Sequence, residues 1–183
     1  MGLDISIRVN NPKNLHEDED GYLSQPHLSR TFCNFICRQY VDIEHETEFE
    51  QISTITGVDI SAIYEMDAGI EEGDEDMEFS EDLDEDEIKA YLAEVEKGKE
   101  KINGNIDKVL LTVNNLIEKL SLIENLPELL IPTDNDTLDN KVYFANFNNN
   151  HRDDSLGQDL RNFKQFLEFA KSKETTTVWF YFD

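Results

Sequence analysis

Between Glu65 and Glu87 the chain carries fourteen carboxylates in twenty-three positions, without one Lys, Arg or His. A stretch of this kind cannot enter a hydrophobic core, because unpaired ionised groups lose more by desolvation than packing returns. It therefore splits the chain and leaves the core to the flanking segments. The run holds over half of the excess behind a formal net charge of −25 at a pI near 4.3. Such a field repels nucleic acid and anionic membrane and attracts basic surfaces.

The flanks can build that core. Hydrophobic residues make up only 38 % of the 183 positions, but eleven Phe, six Tyr and one Trp supply large apolar area. The aromatics gather in residues 22–49 and 143–182, which predicts one α+β core from residues 1–66 and 140–183. Residues 67–84 are then an acidic loop, and 85–126 a long helix or helical hairpin. No apolar stretch is long enough to cross a bilayer and no signal peptide follows Met1, so a cytoplasmic protein is expected. Cys33 and Cys37 lie four apart on a predicted helix, too far for a disulfide, and read as reduced core thiols.

Leu3, Ile5, Ile7 and Val9 alternate with Asp4, Ser6 and Arg8, the period of a half-buried strand. A helix is predicted from Pro26, with Leu28, Phe32, Phe35, Ile36 and Tyr40 on one face. Tyr143, Ala145 and Phe147 suggest another strand. Leu156, Leu160, Phe163, Phe166, Leu167 and Ala170 mark a helix. Residues 175–182 are apolar on both faces and read as a central strand, so a small mixed sheet of N- and C-terminal strands is expected.

The most regular segment is Ile88, Leu92, Val95, Lys99, Ile102, Ile106, Val109, Val113, Leu116, Leu120 and Ile123, whose spacing alternates four and three. That is a heptad seam with one Lys in it. Asn103-Gly104-Asn105 has the composition of a turn, so one continuous helix and a hairpin both remain open. The seam residues Leu92, Val95, Ile102, Ile106, Val109, Val113, Leu116 and Leu120 serve packing within the chain or self-association into a homo-oligomer.

Motifs for chemistry are weak. Gln51 to Met66 carries the apolar skeleton of a helix-turn-helix, but Asp59, Ser61 and Glu65 stand where donors to DNA would be needed, and two short core helices joined at Gly57 are the preferred reading. His16 to Gly21 has the alternation of the first half of a calcium loop, yet His27 occupies the twelfth place. His27, Cys33 and Cys37 lack a fourth zinc ligand. No nucleophile elbow or phosphate loop occurs, so no catalytic residue, no metal ligand and no cofactor is assigned.

The opening Met1-Gly2-Leu3-Asp4-Ile5, together with the segment from His27 to Cys37, resembles a loose set of small, mostly uncharacterised proteins of bacteriophages and bacterial mobile elements. The resemblance covers about a fifth of the chain and implies a bacterial or phage-infected cytoplasm, without an activity. The charge then predicts a non-enzymatic interaction protein that docks on a basic protein surface, with no direct nucleic-acid or membrane contact. In a phage setting this becomes a nucleic-acid mimic or inhibitor of a host nucleic-acid-binding or defence protein. The partner-binding candidates are Glu71, Glu72, Asp74, Glu75, Asp76, Glu78, Glu81, Asp82, Asp84, Glu85, Asp86 and Glu87. An alternative is a binder or hydrolase of a nucleotide signal that uses acid-bound divalent cations. It is disfavoured because Arg30, Arg38, Arg152 and Arg161 are scattered.

Overall fold

The alternating residues near the N-terminus form strand β1 (Ile5–Val9), and the apolar residues near the C-terminus form β2 (Val178–Phe182). In the computed structural model, residues 5–17, 25–38, 46–67, 85–132, 140–148 and 155–182 are described. The strands pair antiparallel, with Ile7 opposite Phe180 and Val9 opposite Val178. Strand alternation sends Ile5, Ile7, Val9, Val178 and Phe180 into the core. Ser6, Arg8, Trp179 and Tyr181 occupy the other, half-buried face.

Among the described residues the sheet is two-stranded, so β2 is not a central strand there. Its second edge is met by groups from elsewhere in the chain. The Asn105 side chain donates from Nδ2 to the Val178 carbonyl at 2.8 Å and accepts from the Val178 N–H at 2.9 Å. The Phe180 N–H donates to the Met66 carbonyl at 2.9 Å. On the far edge of β1, the Ile5 N–H donates to Cys33 Sγ at 3.4 Å. Both edges thus lose donors that would otherwise invite another strand.

Eight helices complete the described fold: α1 (Arg30–Cys37), α2 (Glu48–Thr56), α3 (Ser61–Tyr64), α4 (Glu85–Ile102), α5 (Ile106–Leu120), α6 (Leu126–Leu129), α7 (Asn140–Tyr143) and α8 (Leu156–Ser172). The class is α+β, a helix-rich body around a small antiparallel sheet. The 4-3 spacing of α5 buries Val109, Val113, Leu116 and Leu120, and α5 packs mainly on α8, which presents Leu160, Phe163, Phe166, Leu167 and Ala170. Beside them Phe35 meets Phe49 with ring centroids 5.0 Å apart and Phe144 at 5.6 Å, tying α1, α2 and α7 into one aromatic cluster.

Several expectations are corrected. Residues 143–147 are not a strand: Tyr143 ends α7, and Tyr143, Phe144 and Phe147 are the buried ones. Past Tyr143 the chain bends, with Asn146 at φ 52°, and a period of two overlooks buried Phe144. The first long helix begins at Arg30 rather than at Pro26, because Ser29 is its N-cap and His27 sits at φ 45°. Residues 12–17 form a 3₁₀ turn rather than open loop, with Leu15 buried. Tyr40 lies outside the described residues.

The segment 85–120 is two successive helices, α4 and α5, rather than one continuous helix. It breaks at Asn103-Gly104-Asn105, with Gly104 at φ 73°, a left-handed conformation that suits a residue without Cβ. The break is held from outside. The Gly104 N–H donates to Thr177 Oγ1 at 3.0 Å and the Ile106 N–H to the Thr176 carbonyl at 3.1 Å. Ile102 and Ile106 on either side both remain buried.

Candidate partner-binding surface

Met66, the second residue of the acidic run, is buried beside the edge of β2. The run's first carboxylate, Glu65, is paired with Lys108 of α5 at 2.9 Å, so one charge that looks uncompensated in the sequence has a partner in the fold. The candidates Glu71, Glu72, Asp74, Glu75, Asp76, Glu78, Glu81, Asp82 and Asp84 lie outside the described residues. Glu85, Asp86 and Glu87 form the first turn of α4, the end of a helix where negative charge is favoured by the aligned peptide dipoles.

Beyond that turn, most of the described side chains of α4 are exposed. Val95 and Ile102 are buried on it, Ile88 is half-buried, and Lys99 points outward to Glu96 at 3.0 Å. The remaining seam positions, Ile106, Val109, Val113, Leu116 and Leu120, are buried within the chain itself. They face α8, α3 and α2.

Where buried polar groups meet, each cluster acts as a joint between elements. Asp159 of α8 accepts from the Ser29 N–H at 2.8 Å, from Ser29 Oγ at 2.7 Å and from Tyr143 Oη at 2.9 Å. Ser29 Oγ also accepts the Phe32 N–H at 3.1 Å. Its proton is thus committed to a carboxylate and one of its lone pairs to a helix cap. Burial, reinforced by Asp159, pushes Tyr143 well above the ordinary phenol range and keeps it a donor. Arg38 and Glu48 form a buried ion pair at 2.6 Å between α1 and α2.

The Asn and Thr repeats form a second joint. Asn10 Oδ1 accepts the N–H groups of Thr176 and Thr177, both at 3.2 Å. Asn11 Nδ2 donates to the Lys173 carbonyl at 3.0 Å. Residues from both ends of the chain and the α4–α5 break therefore converge on residues 173–178. Periodicity gives no hint of these side chains, which act as substitute strand partners.

The soft-metal and helix-turn-helix readings are answered locally. Cys33 is engaged with β1, and the Cys37 thiol is pushed up to about 11 by burial, with smaller contributions from Cys33 and Asp67. No group of three or more His, Cys, Asp or Glu is placed to hold a metal ion among the described residues. Of the calcium-like segment, His16 and Glu17 end the 3₁₀ turn and the rest lies outside the described residues. In the helix-turn-helix segment, α2 has a capping box between Thr47 and Glu50 and ends at left-handed Gly57. The second helix, α3, is a single turn with Ala62 and Ile63 buried, too short to enter a DNA groove.

On the outer face of the sheet the Arg8 guanidinium lies 4.7 Å from the centre of the Tyr181 ring. Among the described residues no helix is long and apolar enough to cross a membrane. No protein-family model, no curated protein and no solved structure matches this chain.

Proposed function

We propose that the protein is a non-enzymatic, acidic interaction protein whose 65–87 run docks on a basic protein surface. The observation that carries this is the charge itself: fourteen carboxylates and no cation in twenty-three positions. From Glu71 to Glu87 this approaches one negative charge per one or two residues, a linear density comparable with a nucleic-acid backbone. Carboxylates only accept hydrogen bonds, and so suit the guanidinium forks and ammonium groups of a partner. Taken with the resemblance to phage and mobile-element proteins, the sharper form is a nucleic-acid mimic that occupies a host nucleic-acid-binding or defence protein in the cytoplasm.

The test is a variant with Asp74, Glu75, Asp76, Asp82, Asp84 and Asp86 changed to Asn or Gln, which keeps shape and removes six charges. It should fold as the parent does and lose the basic partner. Unaltered binding by the folded variant would reduce the run to a solubilising segment.

A further inference from the structure

From Leu120 to Asn140, between Lys119 and Lys141, the chain has a second acidic stretch, with Glu124, Glu128, Asp134, Asp136 and Asp139 and no Lys, Arg or His. Unlike the first, it exposes aliphatic side chains. Leu122 is 76 % exposed, Ile131 62 % and Leu129 48 %, with Val142 and Ile55 also on the surface. The hydrogen bonds bring these residues toward one region. The Gln51 side chain grips Ile131 on both sides, donating to its carbonyl at 2.9 Å and accepting its N–H at 2.8 Å. Ile55 lies one turn further along α2. Leu129 ends α6, which packs on α7 and so adjoins Val142. Asn148, just past α7, donates to the Ser121 carbonyl at 2.9 Å and ties down the turn that carries Leu122.

Exposed aliphatic side chains grouped on a surface mark a contact site. Here the charge narrows the occupant. Exposed Glu124 and Glu128 lie between Leu122 and Leu129 in the chain, Glu128 also accepting from Asn125 Nδ2 at 3.2 Å. An anionic lipid surface would be repelled, and a neutral apolar segment would leave the carboxylates unmatched. We propose that the patch of Leu122, Leu129 and Ile131 seats a basic amphipathic segment of a protein partner, its apolar side on the aliphatic residues and its Lys or Arg on Glu124 and Glu128. This rests on the reading of the protein as a binder of basic partners. It adds that recognition has an apolar component separate from the 65–87 run.

Two synthetic peptides of equal length and charge test it on the full chain: a helical Leu/Lys amphipath and a Lys/Ser control. The triple variant Leu122→Ser, Leu129→Ser, Ile131→Ser should fold normally, since all three side chains are exposed. It should bind the Leu/Lys peptide at least about tenfold more weakly than the parent, with Lys/Ser binding unchanged. Equal loss for both peptides, or no loss for either, would overturn the proposal. So would a parent dimer in sedimentation equilibrium that the triple variant dissociates, because the occupant would then be a second copy. Vesicle binding by the parent that the triple variant loses would equally overturn it. The six-charge variant of the acidic run separates the two readings. If it still binds Lys/Ser peptide like the parent while the triple variant loses its Leu/Lys preference, the run fails as a docking surface and the aliphatic patch stands.

Discussion

Single side chains hold together what the backbone alone would leave open. Asn105 satisfies both backbone groups of Val178, a fully buried residue. Asn105→Ala would orphan a buried donor and a buried acceptor and should cost about 2–4 kcal/mol, read by urea unfolding; a cost near zero would show that the edge of β2 is hydrated. Cys37 gives a pH signature. Its thiol rises from 9.0 to about 11 in the fold. A raised acid contributes stability that is complete below pH 9 and lost as pH rises toward 11, so urea midpoints should fall across that window. The same shift makes the thiolate about 100-fold scarcer at pH 8, so alkylation should be slow until the chain unfolds. Fast native alkylation would contradict the burial of Cys37. The burial of Cys37 was legible as a core thiol on a helix; the role of Asn105 was not, because Val178 stands seventy-three positions away.

Elements were legible where the apolar period was long and unbroken. The alternation of Ile5, Ile7 and Val9, the 4-3 spacing of α5 and the face of α8 all translate directly into buried surfaces. Residues 143–147 did not, because the helix ends at Tyr143 and the chain then bends, so the three buried aromatics follow no single period. Strand β2 looked apolar on both sides, and the fold assigns those sides different weights. Phe180 faces the core, whereas Trp179 lies on the half-buried outer face. Phe180→Ala should therefore cost about 3–5 kcal/mol and Trp179→Ala distinctly less; the reverse order would place the core on the wrong side of the sheet. At the break between α4 and α5, a Cβ on Gly104 meets nothing within 4 Å, so Gly104→Ala pays only for its left-handed backbone, about 1–2 kcal/mol. Ile106→Asp, two positions on, would bury an unpaired charge and should unfold the chain. Circular dichroism and thermal melts of the pair separate strain from packing.

For the whole molecule, charge and core are segregated along the chain. The α+β class could be read from the sequence because aromatics mark both ends and acids mark the middle. That the terminal strands share one sheet was legible from their apolar patterns; the contacts of Asn10, Asn11 and Asn105 that fasten them were not, since no hydrophobic pattern encodes polar contacts. The same segregation makes the electrostatic account testable. A field set by the 65–87 run is screened beyond a Debye length of about 8–10 Å, so association with a basic partner should slow steeply as salt rises. Removing six of its charges should relieve self-repulsion, leaving stability equal to the parent's or raised. The most direct measurement is a tagged capture from bacterial host cytoplasm with parent and six-charge variant, each at low and high salt. The account predicts that the parent retains a basic protein at low salt only and that the folded variant retains none. Equal retention by the two proteins, insensitive to salt, would contradict it.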